Sequence, residues 1–371
     1  MILVCGRGVP SAAAPLLGIF ELDQAKALRE AGHDVVYAAL DVRSVRRWRR
    51  WGLRHHDVDG VPVVSLDFPL GRLPRGINRR AMTLLWDVLL RAVVDRHGPP
   101  DVLHGHFLPW TAPLAGRRVA RRVPLVVTEH WSRLREAPST DIRALGRAVY
   151  PRAAAVLAVS RPLAEVINRE FGVTARVVPD IVDVDTFGAV VTARREPGVR
   201  LVATGNLIAR KNFDGLLRAF AAAAPESARL TVIGQGPEQA ALEQLATALG
   251  IAERVLFTGR LSRAVMTAEY ARATGFALTS HAETFGVVWA EALAAGLPVL
   301  ATRCGGPEDF VGPGNGVLVE DTPGDLALGV AELCSGIANS RWPAAGLHAG
   351  VRERFSAEAV VGQLAEVYAG L

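Results

Sequence analysis

Apolar and polar positions follow two patterns along this chain, and the two patterns take turns. Short runs rich in valine, isoleucine and leucine predict strands at 2–5, 34–40, 61–66, 101–106, 124–128 and 155–159. Between them apolar residues return every three to four positions, as in ELDQAKALREAG (21–32) and RAMTLLWDVLLRAVVDRH (80–97), which predicts helices. The alternation then repeats, with strands predicted at 200–204, 229–234, 254–259, 275–280 and 298–302. Strands separated by helices pair in parallel and carry helices on both faces. Two such blocks predict an α/β protein of two Rossmann-like domains. The turn-rich, charged stretch 177–198 marks the join, giving domains at 1–185 and 186–355. A last helical pattern, 356–371, is free to pack back on the first domain. Ligands of open parallel sheets bind beyond the carboxyl ends of the strands. Two such sheets facing each other across a cleft make motifs just after strands the informative ones.

One such motif is HAETFGVVWAEALAAGLPV (281–299). Glu283 falls in the turn after a predicted strand, and Glu291 falls in the second turn of the helix that follows. Trp289, Ala290, Ala292 and Leu293 leave little room for an exposed face, so both carboxylates sit in a segment suited to a core. Thr284, Phe285 and Gly286 open the helix, whose free N–H groups and positive dipole end suit a phosphate. A carboxylate at 291 can accept two hydrogen bonds from a vicinal diol such as ribose. The plainer reading makes Glu283 a loop residue and Glu291 a surface residue. A second motif, ATGNLIARKNFDGLLRAF (203–220), places Arg210 and Lys211 between a strand ending at Gly205 and a helix. Two cations there can neutralise a diphosphate. The chain has only two lysines, Lys26 and Lys211, against forty arginines, which singles out position 211.

These residues resemble the E-x7-E signature of family 4 glycosyltransferases, retaining enzymes of GT-B fold. The F-G of 285–286, the A-x-G-x-P-V of 294–299 and the double glycine 305–306 all match it. The resemblance implies that Glu283 approaches the transferred sugar and that Glu291 holds the ribose. Lys211 matches the family's lysine on the leaving diphosphate. Asn206 stands where the family has an arginine, and Arg210 is expected to supply that charge. TVIGQGPE (231–238) resembles the family's G-x-G-P, with Gly234 and Gly236 turning tightly beside the nucleotide. The resemblance covers most of the chain and is most specific over 200–310. It implies a nucleoside diphosphate sugar as co-substrate, a UDP-sugar favoured, with no separate cofactor and no metal. Asp57-Val58-Asp59 and Asp183-Val184-Asp185 look like metal-binding D-x-D pairs but fall in a turn and in the join.

The first half is less specific. His130 follows a predicted strand in LVVTEHWSRL, where the resemblance places a histidine near the donor sugar or the acceptor; a structural histidine is the plainer reading. His106 is a second candidate, and Gly18 offers backbone to a phosphate or acceptor. Charge sharpens the contrast: residues 1–185 hold 27 Lys and Arg against 19 Asp and Glu, and the remainder holds 15 against 18. The basic excess gathers in RRWRRWGLRHH (46–56) and at Arg72, Arg75, Arg79 and Arg80. A solvated arginine face explains it; so does peripheral contact of 46–80 with an anionic membrane, helped by Trp48 and Trp51. Nucleic acid is not expected, because no recognition module appears and the second half is acidic.

Three unpaired-looking cysteines, no signal-like leader and no apolar run of roughly 18 residues predict a cytoplasmic protein. Three rivals to a transferase remain. ILVCGRGVPS opens like a dinucleotide fingerprint, with Asp41 as the ribose acid, but Ser11 replaces the third glycine. A sugar-nucleotide epimerase or hydrolase, or a regulator that only binds sugar nucleotides, would share the architecture. The expected acceptor is a saccharide, a lipid-linked sugar or a small molecule.

Overall fold

A computed structural model describes residues 1–371 other than 45, 47–48, 71–74, 118–121 and 135–137, and leaves the side chains of 75 and 133 undescribed. The chain divides into two compact units, Met1–Ile181 with Val360–Leu371, and Val182–Ala359.

In the first unit the strands are Ile2–Gly6 (β1), Val35–Asp41 (β2), Gly52–Val58 (β3), Val61–Asp67 (β4), Val102–His106 (β5), Leu125–Glu129 (β6), Ala155–Ala158 (β7) and Arg176–Val177 (β8). Its helices are Ile19–Glu30 (α1), Arg75–His97 (α2), Leu108–Ala115 (α3), Thr140–Val149 (α4) and Arg161–Phe171 (α5). Among the described residues the sheet runs β3-β4-β2-β1-β5-β6-β7-β8. Every ladder is parallel except β3 with β4. Strands β1, β2 and β6 are buried along their whole length, as strands covered on both faces must be.

Hydrophobic pattern did not reveal β3. Its sequence GLRHHDV is mostly exposed, because it is an edge strand held by a hairpin rather than by burial. The hairpin turn is chemically specified: Asp59 and Gly60 both take positive φ, and Asp57 accepts from the Gly60 N–H.

The second unit comprises Val184–Gly188 (α6), Arg200–Thr204 (β9), Phe213–Ala223 (α7), Arg229–Ile233 (β10), Gln239–Ala248 (α8), Val255–Gly259 (β11), Arg263–Arg272 (α9), Gly275–Ala277 (β12), Val287–Ala294 (α10), Val299–Thr302 (β13), Gly316–Val319 (β14), Pro323–Ala338 (α11) and Ala344–Phe355 (α12). The sheet is parallel throughout, in the order β11-β10-β9-β12-β13-β14. Phe213, Phe220, Tyr270, Phe276 and Trp289 are fully buried and form its aromatic core. The order reverses between β9 and β12, the position at which open α/β sheets bind ligands. The strand expected over 275–280 ends at Ala277, and Leu278–Ser280 continue as buried irregular chain. The last helix, Ala357–Ala369 (α13), returns to the first unit, where the Tyr368 hydroxyl bonds His104 Nδ1 at 2.6 Å.

Candidate functional site

The loops after β9, β10 and β12 meet at the carboxyl edge of the second sheet, and glycine lets them meet closely. A Cβ on Gly234, at φ +145°, would lie 1.8 Å from the Gly205 carbonyl oxygen, and one on Gly236 would lie 2.1 Å from that of Leu207. Only residues without a side chain allow this backbone contact. Arg210 and Lys211 ride on a 3-10 turn, Ala209–Lys211. Asn212 follows in the left-handed region, at φ 51°, and caps α7 by accepting from the Gly215 N–H at 3.1 Å.

Lys211 Nζ donates to Glu283 Oε1 at 2.5 Å and lies 5.9 Å from the centre of the Trp289 ring. Both charged groups are nearly buried, 13% and 10% exposed, so neither is a solvated surface residue. Glu283 is fixed by its backbone: its N–H donates to Cys304 and its carbonyl accepts from Gly306. Gly286 begins α10 in the left-handed region with no side chain over the helix end. Phe285, expected among the donor-binding residues, is buried with its ring against Phe310 and Phe355. Thr284 lies beside it, half-buried.

The cationic loop is tied to the Glu283 loop along its length. His281 N–H donates to the Arg210 carbonyl at 2.9 Å, and Arg210 Nη1 donates to the Ala282 carbonyl at 3.3 Å. Asp321 bridges the two loops, accepting from Asn212 Nδ2 at 3.1 Å and facing His281 Nδ1 at 2.5 Å. Neither His281 nor Asp321 was singled out in the sequence; they belong to distant segments with no shared pattern.

Glu291 is 7% exposed. Arg263 Nη2 stands 3.8 Å from its Oε1, and Arg263 also pairs with Asp183 at 2.8 Å. Burial lifts the Glu291 carboxyl from 4.5 to about 7; Arg263 pulls it down and Asp183 pushes it up. Arg263 and Asp183 were likewise not anticipated as neighbours of this carboxylate.

In the first unit, polar groups collect at the carboxyl ends of β5 and β6. His130, 8% exposed, has Nδ1 2.8 Å from Asp180 Oδ1 and Nε2 2.9 Å from His106 Nδ1. Phe107 and Phe20 stack on its ring. His106, the second histidine candidate, is fully buried, and its Nδ1 meets His130. Glu129 is also fully buried, accepts from the Tyr150 hydroxyl at 3.0 Å, and is raised by burial to about 7. Gly18, at φ +72°, precedes α1, but a Cβ there would strike the Gly8 carbonyl at 2.1 Å and the Tyr37 hydroxyl at 2.8 Å. Its close approach is therefore to its own unit. Gly6 and Gly8 are needed in the same way, to clear Tyr37 and Leu17.

Both D-x-D pairs are committed elsewhere. Asp57 caps the β3–β4 turn and Asp59 pairs with Lys26. Asp183 caps α6 and pairs with Arg263, and Asp185 pairs with Arg352. The basic stretch is partly internal as well. Arg49 and Arg43 clamp Asp41, and Arg54 pairs with Asp67. Arg46, Arg50, Arg79 and Arg80 remain exposed. Arg47, Trp48 and Arg72 lie outside the described residues, as does the side chain of Arg75. Among the described residues no helix is long and apolar enough to cross a membrane.

Comparison with known proteins adds to this geometry. The model for "Glycosyl transferases group 1" matches residues 191–341, and that for "Glycosyltransferase Family 4" matches 20–186. A D-inositol 3-phosphate glycosyltransferase of Xylanimonas cellulosilytica is 34% identical over 317 residues, 76% of this chain and 75% of that one. A GDP-mannose-dependent alpha-(1-6)-phosphatidylinositol monomannoside mannosyltransferase of Mycolicibacterium smegmatis is 30% identical over 291 residues, 68% of this chain and 74% of that one. Among solved structures, sucrose-phosphate synthase from Thermosynechococcus elongatus superposes with a TM-score of 0.80 at 19% identity, covering 99% of this chain and 98% of its own. Anabaena HepE in complex with UDP gives 0.74 at 19% identity, covering 100% and 99%.

Proposed function

The chain belongs to the family 4 glycosyltransferases of GT-B fold, and from that premise we propose that it is a retaining, metal-independent transferase. It takes a sugar from a nucleoside diphosphate donor bound at the carboxyl edge of the second sheet. The observation that carries the reading is the buried Lys211–Glu283 pair at the point where the strand order reverses. In transfer, the bond from the anomeric carbon to the diphosphate oxygen breaks and one to an acceptor hydroxyl forms. The acceptor proton passes to the leaving phosphate. Negative charge grows on the diphosphate, and a preformed cation offsets it without reorganisation. Lys211 fills that role, with Arg210 beside it and the N–H groups near Gly286 completing the cradle. Glu283 is the carboxylate for sugar hydroxyls, and it also aims Lys211. Glu291, once ionised, accepts from both ribose hydroxyls. His130 is the first unit's own candidate for the sugar or the acceptor.

The UDP-sugar expectation draws support from HepE, which binds UDP; the mycobacterial relative, by its name, depends on GDP-mannose. Thermal unfolding against UDP, GDP, ADP, dTDP and NAD, without added metal, separates the readings. A ligand that binds only the native state raises the melting temperature by an amount set by its concentration over Kd. A rise with one diphosphate is expected, and a rise with NAD alone would sink the reading. A donor that is bound, and slowly hydrolysed, but never transferred would instead favour the epimerase or hydrolase.

The reading extends to the acceptor. The two relatives are named for inositol-containing acceptors, which supports an acceptor that is a saccharide, a small polyol or a lipid-linked form. Exposed Trp51, Leu53, Phe68, Ile77, Leu84 and Val88 accompany the exposed arginines of 46–80, a composition that suits the surface of an anionic bilayer. Co-sedimentation with anionic vesicles at low salt tests this contact, and protein left entirely in the supernatant would end it.

A further inference from the structure

His130 meets groups of its own unit at both ring nitrogens, a hydrogen bond at Nε2 and the Asp180 carboxylate beside Nδ1. Nδ1 lies 2.8 Å from Asp180 Oδ1, an ion-pair contact outside hydrogen-bond geometry, and because two bare lone pairs at that distance would repel, the proton is assigned to Nδ1. With the proton on Nδ1, Nε2 is left as the acceptor, and the group opposite it at 2.9 Å is His106 Nδ1. His106 must therefore donate from Nδ1, which leaves its Nε2 without a proton. That atom is buried and has no partner among the described residues. A second layer holds His106 in turn. The His104 ring stacks on it at 4.6 Å, and both His104 nitrogens are engaged, with Thr128 Oγ1 at 2.7 Å and Tyr368 at 2.6 Å. Burial, together with His104, His130 and Arg7, keeps His106 well below its ordinary value, so it stays neutral.

We propose that His106 is a positioning residue for sugar transfer: its Nδ1–H fixes the plane of the His130 imidazole and, with Asp180, the tautomer in which Nε2 is unprotonated. This rests on His130 taking part in transfer, as proposed above. The signal was present in the sequence as a second histidine two residues from His104, but spacing did not distinguish a ligand contact from a buried support.

Two variants of equal polarity test it. In His106→Asn the amide nitrogen occupies the place of Nδ1; in His106→Gln it occupies the place of Nε2. Two-bond proton–nitrogen NMR on the full chain, labelled at histidine, reads the His130 tautomer directly. The wild type and the Asn variant are expected to hold His130 protonated at Nδ1 alone, and the Gln variant to give a mixture. Turnover in the Gln variant should fall about tenfold, with the donor KM unchanged, because a small misplacement of a reacting group is costly. Asn should recover most of it. An unchanged His130 tautomer in the Gln variant, or equal turnover in the two variants, would overturn the proposal. If the wild type transfers no sugar from any donor, the transferase reading fails, while the tautomer comparison still decides whether His106 sets the His130 ring.

Discussion

The two units put opposite kinds of polar group at the carboxyl ends of their sheets. In the second unit opposite charges face each other at the strand-order switch: Lys211 with Glu283, and Arg263 between Glu291 and Asp183. In the first unit the corresponding ends hold histidines, and His104 and His106 are kept uncharged by burial, with the hydrogen bonds His106–His130 and His104–Thr128. The lesson concerns what each site is built to meet. On the proposed reading, a diphosphate brings charge that must be offset, so the charge is set in advance in a low-dielectric setting. Acceptor hydroxyls would instead need direction, which a ring held by buried neutral histidines could give.

The sharpest way to break this contrast is Lys211→Ala. It removes the cation and leaves Glu283 nearly buried without it. Turnover should fall by about a hundredfold to a thousandfold, as for loss of a group that stabilises transition-state charge, while circular dichroism reports a folded chain. Near-normal turnover would show that the second unit does not work through this charge.

A smaller effect separates the two buried carboxylates, Glu129 and Glu291, each raised to about 7. Their folded values exceed their unfolded ones, so the folded state holds more protons and stability falls as pH rises from about 4.5 to about 7. Replacing either by Gln should flatten that decline and raise the melting temperature near pH 8. Only Glu291→Gln should also weaken nucleotide binding, by about tenfold, through the loss of an ionised acceptor for the ribose diol. In the wild type, nucleotide affinity should accordingly weaken as pH drops below 7. Calorimetric titration at pH 6 and pH 8 checks this; equal nucleotide affinity in both variants would erase the distinction between the units.

The smallest expected effect lies on the outer face of α2. Ile77→Asp with Leu84→Asp should leave stability within about 0.5 kcal/mol, because both side chains are already exposed. Vesicle sedimentation should drop. A large loss of stability would mean that this face is covered within the protein.

Much of the second unit was legible in advance, for a physical reason. Its candidate site lies on short loops beside single strands, so Arg210 and Lys211, and Glu283 and Glu291, fall within a few residues of each other in sequence. Gly234 and Gly236 approach the backbone of the neighbouring loop at Gly205 and Leu207. Strand β3 was not legible, because an exposed edge strand needs only ladder bonds and a turn. Phe285 matched a motif yet packs inward, since a motif position does not say which way a ring points.

By itself the sequence determined the alternation of strand and helix, the two largely parallel sheets and the residues that carry charge, because periodicity and turn chemistry are local. Tertiary structure decided which of those charges are available. It tied Arg49 and Arg54 to buried aspartates, set Arg263 against Glu291 across 28 positions, and joined Asp180 to His130 and His106. Partnership between distant segments depends on how elements pack, and burial, which sets the charge state of Glu291 and His106, exists only once they have.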